Sequence, residues 1–134
     1  MVKAISDGII DVIVSDHKPE DEENKRLTFA QAETGASGIE TLLSLSLEHY
    51  HNGSVDLETI IRALTSNPAK ILKIDKGNLN LGSDADFCIV DLNKPWIVKQ
   101  ENLYSKSKNS SIENKKLQGK VTNTFVKGEE LFKL

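Results

Sequence analysis

The chain has one cysteine among its 134 residues, so no disulfide bond can form within it. The absence of internal disulfides fits a reducing compartment, and we expect the protein in the cytoplasm. The single cysteine, Cys88, lies in the apolar run Phe87–Val90. That setting predicts a buried, unreactive thiol rather than a nucleophile.

Long apolar runs and an excess of one charge are also missing. No segment reaches the roughly 18 apolar residues of a membrane-spanning helix, and the N-terminus lacks the apolar stretch of a secretory signal. The formal net charge of -3 offers no basic face for nucleic acid. The one basic stretch, residues 106–120, also contains Glu113 and several serines and asparagines. We interpret it as a solvated loop, with a phosphate-binding patch as the alternative.

The composition is that of a folded domain, with 38% apolar and 28% charged residues. The length allows one hydrophobic core. It is too short for a complete (β/α)8 barrel, which needs about 250 residues.

The first part of the chain predicts a buried strand followed by a helix. The β-branched run Ile9–Val14 is typical of a strand covered on both faces, as in a parallel sheet. Apolar residues at helical spacing between 39 and 50 predict a helix that stops at Asn52 and Gly53.

Two further helices are expected before residue 76. Asp56 is a candidate N-cap, and the apolar residues that follow it have helical spacing. Asn67 is expected to cap the next helix, with Pro68 as its first residue, where the missing N–H costs nothing.

The second part of the chain predicts a small β layer. Short β-branched or aromatic runs predict strands at 87–91, 96–98 and 121–126, and Gly128 marks a turn before Leu131. Residues 104–117 are polar and predict irregular structure. We place a boundary near residues 75–77, which divides the chain into domains 1–75 and 76–134.

Asp16 is the strongest candidate for chemistry. It follows the predicted strand, at the end where α/β folds place their active-site loops. A carboxylate there can bind a divalent metal and accept a proton from metal-bound water. The alternative is an ordinary turn or helix-capping aspartate.

The three histidines do not form a metal-binding pattern of their own. His49 and His51 lie two residues apart near a predicted helix end, point in different directions and are expected on the surface. His17, next to Asp16, could face a site or could be a loop residue hydrogen-bonded to the backbone. The sequence between Gly35 and Gly38 has neither the spacing of a nucleophile elbow nor that of a dinucleotide-binding loop.

Several segments, in order along nearly the whole chain, resemble the C-terminal part of dihydroorotases of the amidohydrolase superfamily. Residues 7–19 are similar to the last barrel strand and its aspartate, and residues 25–43 to a substrate loop and helix. The other similar segments are 64–72, 77–91, Ser105–Asn109 and 119–121.

The resemblance implies an α/β fold: the last strand and helices of a metal-dependent (β/α)8 barrel, followed by a small β-sandwich segment. The barrel would be incomplete. The implied activity is zinc-dependent interconversion of carbamoyl-aspartate and dihydroorotate in pyrimidine synthesis. Asp16 would be metal ligand and general acid/base, Thr34 and Gly35 would contact the substrate, and His17 would lie at the rim.

Two departures from the family pattern stand out. Glu20 occupies the position of a family histidine that pairs with the substrate carboxylate, so it would repel an anion unless Lys18, Lys25 or Arg26 supplies positive charge. The earlier barrel strands, which carry the other metal ligands, have no counterpart in this chain. A full binuclear zinc site therefore cannot form from these residues alone.

Three hypotheses follow. The chain is the C-terminal part of a dihydroorotase, inactive alone and completed by an N-terminal part. Alternatively, it is a non-catalytic scaffold subunit for aspartate carbamoyltransferase, or part of a related cyclic amidase such as a hydantoinase. The unpaired strand and apolar helix faces predict self-association or a need for the missing part.

Overall fold

The computed structural model describes residues 1–134 as a helical part followed by a three-stranded antiparallel sheet. The helices are α1 (Val2–Ser6), α2 (Glu22–Lys25), α3 (Leu42–His51), α4 (Leu57–Leu64) and α5 (Ser66–Leu72). The strands are β1 (Phe87–Ile97), β2 (Lys116–Val126) and β3 (Glu129–Lys133), and a 3-10 turn covers Gln100–Asn102.

Helices α3 and α4 follow the predicted signals. Helix α3 ends at His51 with Asn52 as its C-cap, and Gly53 has a φ of 73° that suits the chain reversal. Asp56 caps α4, since its carboxylate accepts the Thr59 N–H at 2.8 Å. None of the helices is long and apolar enough to cross a membrane.

The predicted start of α5 is wrong by two residues. The helix begins at Ser66 with Thr65 as its N-cap, so Asn67 and Pro68 are its second and third residues. Pro68 is still in the first turn, where no intrahelical N–H bond is needed. The Asn67 side chain does not cap the helix, because it donates a hydrogen bond to the Asp11 carbonyl at 2.9 Å.

The predicted strand Ile9–Val14 does not form, because no neighbouring strand is present to pair with it. Residues 10–21 lie in neither helix nor strand. The segment is held from one side, where the Ile13 N–H donates to the Ala63 carbonyl at 3.1 Å. Ile9 and Val14 are each 72% exposed. An apolar run can specify a buried strand only where other strands supply hydrogen-bonding partners.

The sheet has the order β1-β2-β3, so β1 is an edge strand. The two strands predicted at 87–91 and 96–98 form one strand, whose register with β2 shifts between Asp91 and Pro95. A proline is tolerated at such an irregular edge position. The Phe87 and Phe125 rings stack across the strands with centroids 4.6 Å apart.

Cys88 lies at the start of this edge strand and is exposed, so the prediction of a buried thiol is wrong. The apolar run around it faces no covering layer, and Ile89 beside it is also exposed. Partial burial still raises the pKa of the Cys88 thiol above its ordinary value.

The core lies where α3 packs against β2. Leu47 is fully buried on α3, and Val98, Leu103 and Leu117 form a buried cluster beside it. The indole N–H of Trp96 lies within hydrogen-bonding distance of the Ser44 hydroxyl (3.1 Å) and the Gly119 carbonyl (3.2 Å). Residues from both predicted domains thus share one core.

Outside this core, large apolar side chains are exposed on both parts of the chain. The helical part exposes Ile39, Ile71 and Leu72, and the β part exposes Leu79 and Leu131. One sheet is present, so residues 1–134 do not by themselves form a second sandwich layer.

Candidate functional site

The candidate site is built around Asp16, at the end of the extended segment. Its backbone has a φ of 45°, in the left-handed region that non-glycine residues adopt infrequently. The side chain is exposed and takes part in no hydrogen bond within the chain. No helix begins at Asp16, so it is not a helix cap. The strained backbone places an unpaired carboxylate at the surface, where it can meet a ligand.

The side chain of His17, next to Asp16, is hydrogen-bonded to the backbone. Its Nδ1 accepts hydrogen bonds from the Gly38 N–H at 3.2 Å and the Ile39 N–H at 3.3 Å. An imidazole nitrogen accepts only when it carries no proton, so in neutral His17 the proton lies on Nε2. Of the two interpretations of His17, the structure matches the loop residue that is hydrogen-bonded to the backbone.

The loop Thr34–Gly38 packs against residues 15–18, and its two glycines allow that approach. Gly35 has a φ of 122°, and a Cβ there would lie 2.4 Å from the Lys18 carbonyl oxygen. A Cβ on Gly38 would lie 2.8 Å from the Ser15 carbonyl oxygen. Both distances are far below van der Waals contact, so side chains are excluded at these two positions.

This loop presents free hydrogen-bond donors. The backbone N–H groups of Thr34, Gly35 and Ala36 donate to no acceptor within the chain. Thr34 is exposed, and Gly35 and Ala36 are half-buried. Free backbone N–H groups held close together suit the recognition of a carbonyl or carboxylate oxygen.

The cations near Glu20 are already engaged. Lys18 lies 3.4 Å from the Glu20 carboxylate and 3.9 Å from that of Glu33. Lys25 donates to the carbonyl oxygens of Glu33 (2.6 Å) and Gly35 (2.8 Å). Arg26 pairs with the carboxylates of Glu22 and Glu23. Of the three cations expected to offset the negative charge of Glu20, only Lys18 pairs with its carboxylate. Lys18 also pairs with Glu33.

Residues that the sequence reasoning did not assign to the site lie on the segment Leu103–Asn109. The side chain of buried Ser37 hydrogen-bonds with the Ser107 carbonyl at 2.8 Å and the Ser105 hydroxyl at 3.0 Å. The Asn109 side chain donates to the Gly35 carbonyl at 3.3 Å. In the sequence, these residues are marked only by the polar composition of Ser105–Asn109, which does not identify the loop that they contact.

The residues of this chain do not fit a zinc site by themselves. No three His, Cys, Asp or Glu side chains lie together in a group that could hold a metal ion. His17 uses Nδ1 for the backbone, and His51 is exposed on α3. His49, expected on the surface, is half-buried, and its Nδ1 is buried without a hydrogen-bond partner. Asp16 would therefore need metal ligands from outside this chain, since it belongs to no such group of three side chains.

Comparison with known proteins gives the family context. The family model described as Amidohydrolase family matches residues 1–131. A dihydroorotase of Ehrlichia canis (strain Jake) is 42% identical over 132 residues, which are 98% of this chain and 30% of that protein. A dihydroorotase of Wolbachia sp. subsp. Drosophila simulans (strain wRi) is 41% identical over the same shares. The chain thus spans about 30% of the length of these relatives.

Solved structures show the same fold. The L-hydantoinase (dihydropyrimidinase) from Arthrobacter aurescens superimposes with a TM-score of 0.92 at 30% identity, over 98% of this chain and 31% of that one. The dihydropyrimidinase from Brevibacillus agri NCHU1002 has a TM-score of 0.92 at 22% identity, over 98% of this chain and 30% of that one. The fold of residues 1–134 is therefore that of a segment of these larger enzymes.

Proposed function

Since the chain belongs to the amidohydrolase family, we propose that it is the C-terminal part of a dihydroorotase-like cyclic amidohydrolase. The single observation that carries this proposal is the 42% identity to a dihydroorotase over 98% of the chain. Residues 1–75 would complete a (β/α)8 barrel, and residues 76–134 would contribute to a β-sandwich. The reaction would interconvert carbamoyl-aspartate and dihydroorotate.

Asp16 is the proposed general acid/base and metal ligand. Its free carboxylate and left-handed backbone distinguish it from the other aspartates, whose φ values are all negative. In cyclic amide hydrolysis such a group accepts a proton from the attacking water and delivers it to the leaving nitrogen. Asp16 alone cannot hold zinc, so further ligands must come from another part of the complete enzyme.

Thr34 and Gly35 are the proposed substrate contacts. Their unpaired N–H groups can donate to substrate oxygens, which places recognition on the backbone rather than on a charged side chain. His17 keeps this loop next to Asp16 by accepting two of its N–H groups. Glu20 lies four residues beyond Asp16 and weakens attraction for an anionic substrate.

The exposed apolar surface supports the need for a partner. Ile9 and Val14 are 72% exposed on an unpaired segment that precedes Asp16, and Ile71 and Leu72 are 64% and 67% exposed on α5. Large exposed apolar side chains in number point to a surface that another polypeptide covers. We propose that it is covered by a polypeptide equivalent to the part of the relatives that this chain does not span.

The test is reconstitution. The chain is mixed or co-expressed with the part of the Ehrlichia canis dihydroorotase that lies outside the 132 matched residues, and dihydroorotate turnover is measured. We expect turnover in the mixture, and a loss of at least about 100-fold for Asp16→Asn, because the substitution removes the proton acceptor. Asp11→Asn is the matched control, since Asp11 is also exposed in the same segment. Equal activity of the two variants would refute the role of Asp16.

A second candidate is a cyclic amidase acting on neutral rings, such as a hydantoinase. The L-hydantoinase from Arthrobacter aurescens is 30% identical over 98% of this chain, and Glu20 with its shared Lys18 gives no free cation for a carboxylate. Faster turnover of a hydantoin than of dihydroorotate by the same mixture would favour it. The scaffold role toward aspartate carbamoyltransferase has no supporting observation here and remains a hypothesis.

A further inference from the structure

We propose that the segment Leu103–Asn109, named here the clamp segment, positions the loop Thr34–Gly38 through side-chain and backbone hydrogen bonds. The inference rests on the proposed function in one respect, because the loop carries the proposed substrate-binding donors. It assigns positioning residues in the β part of the chain to a site formed in the helical part.

Ser37 is the anchor of the loop. It is buried, and its backbone N–H donates to the Asn109 carbonyl at 2.7 Å. Its hydroxyl lies 2.8 Å from the Ser107 carbonyl and 3.0 Å from the Ser105 hydroxyl. Disconnecting the paired hydroxyl and N–H of a buried serine costs about 1–3 kcal/mol, so these bonds hold the loop at Ser37.

The carbonyl of Gly35 is held from two directions. It accepts from the Lys25 ammonium at 2.8 Å and from the Asn109 amide at 3.3 Å. Because a trans peptide unit is planar, its C=O and the following N–H point in opposite directions. Fixing the Gly35 carbonyl therefore fixes the Ala36 N–H, which faces away from Lys25 and Asn109 and has no acceptor in the chain.

The clamp segment is itself anchored to the core and to the turn that precedes α3. Leu103 is buried in the cluster with Val98 and Leu117. The two carboxylate oxygens of Glu40 accept the N–H groups of Tyr104 (2.9 Å) and Ser105 (2.8 Å). Hydrogen bonds to a charged acceptor are about twice as strong as neutral ones. These contacts attach the segment to the core on one side and to the loop on the other.

The opposite side of the loop is held by residues 15–18. His17 accepts the Gly38 and Ile39 N–H groups, and the Lys18 N–H donates to the Ala36 carbonyl at 3.2 Å. The loop is therefore gripped between the Asp16 segment and the clamp segment. Loss of the Asn109 bond would leave these bonds and the Lys25 bond intact, but would remove one of the two restraints on the peptide unit between Gly35 and Ala36.

The decisive variant is Asn109→Asp, which keeps the shape of the side chain but replaces the N–H donor to Gly35 with an oxygen. Asn102→Asp is the matched control, because it adds the same charge at an exposed residue whose side chain makes no hydrogen bond. Amide hydrogen exchange of Ser37 is measured in the chain alone. We expect exchange about three- to tenfold faster in Asn109→Asp than in the control, as expected for one lost hydrogen bond.

The second readout is kinetic and uses the reconstituted mixture described above. The Ala36 N–H is the third free donor of the loop, and we extend the proposed substrate contacts to it. If it binds substrate and transition state equally, its misplacement should raise KM about three- to tenfold with little change in kcat. A merely structural role would lower the amount of active enzyme and leave KM unchanged. Should Asn109→Asp not fold, Asn109→Ala against Asn102→Ala provides the same comparison.

Unchanged exchange at Ser37 relative to the control would overturn the clamp. Faster exchange with an unchanged KM would overturn its positioning role toward substrate. If the unmodified mixture has no turnover, the proposed function fails, while the exchange measurement still decides whether the clamp holds the loop.

Discussion

Replacing Gly35 by alanine tests the geometry of the site in a single substitution. The residue has a φ of 122°, and a Cβ would lie 2.4 Å from the Lys18 carbonyl oxygen and 2.9 Å from the Lys18 Cβ. Two penalties therefore add: an unfavourable backbone conformation and a clash with neighbouring backbone. The backbone term alone is about 1–3 kcal/mol.

Relief of the clash would require the loop to move away from Lys18. Movement would break the Lys18 N–H bond to the Ala36 carbonyl and strain the Lys25 bond to the Gly35 carbonyl. Each such bond contributes about 0.5–1.5 kcal/mol net. We expect a total cost of about 2–5 kcal/mol, unless the loop detaches locally and limits the global loss.

The assay combines urea unfolding with amide exchange of residues 36–39. Gly53→Ala is the control, because Gly53 has a φ of 73° but a Cβ there would meet no atom within 4 Å. The control should lose about 1 kcal/mol from backbone strain alone. Equal unfolding free energies and equal exchange for the two variants would refute the close packing of the loop on Lys18.

Three further predictions concern stability and association. Leu47→Ala should lower the free energy of unfolding by about 2–5 kcal/mol, because Leu47 is fully buried. The control Ile71→Ala, at a 64% exposed residue, should cost far less. Unfolding is monitored by the fluorescence of Trp96. The hydrogen bond from the Thr59 N–H lowers the pKa of the Asp56 carboxyl below its ordinary 3.8. The ionised Asp56 cap therefore stabilises the fold fully above pH 3.8, and this stabilisation is lost as the pH falls through the lowered pKa. Asp56→Asn cannot titrate there, and its melting temperature should fall less than that of the unmodified chain between pH 5 and pH 3; parallel losses would contradict this. The chain alone should self-associate in light scattering because of its exposed apolar residues, and a cooperatively folding monomer would count against that expectation.

Local signals predicted three of the five helices, while the short helices α1 and α2 were not predicted. Helix α3 and the Asp56 cap of α4 follow from apolar spacing and from a side chain that bonds three residues ahead, both of which are properties of short segments. The start of α5 was misplaced because Thr65, not Asn67, changes the chain direction, and the Asn67 side chain has a tertiary partner instead. A favourable capping residue was thus used for another contact.

The strands predicted at 87–91 and 121–126 formed because each has the other as a partner. Two predictions of burial failed. The run Ile9–Val14 has the composition of a buried strand, and Cys88 lies in an equally apolar run. Ile9, Val14 and Cys88 are nevertheless exposed, and no apolar residue of Ile9–Val14 is fully buried, because no layer of this chain covers them. The composition of a segment indicates that it tends to be buried. Burial itself requires a covering strand or helix, which the local sequence does not identify.

The parts of the candidate site were named from the sequence, but their connections were not. Asp16, Gly35 and the glycine spacing were singled out from sequence, and the close approach of Gly35 to Lys18 has its physical reason in the missing Cβ. The bonds between Ser37 and Ser107 join residues 70 positions apart. Such long-range polar contacts leave no periodicity in the sequence, so the clamp segment became visible only in the folded chain.

The most direct test of the central claim is zinc content measured together with dihydroorotate turnover, for the chain alone and for the purified mixture with the remaining part of the Ehrlichia canis dihydroorotase. We predict no turnover and no bound zinc for the chain alone, and turnover with stoichiometric zinc in the mixture, lost in Asp16→Asn. A soluble complex without zinc or turnover would contradict the proposed function. Turnover by the chain alone would contradict the conclusion that its residues cannot form the metal site by themselves.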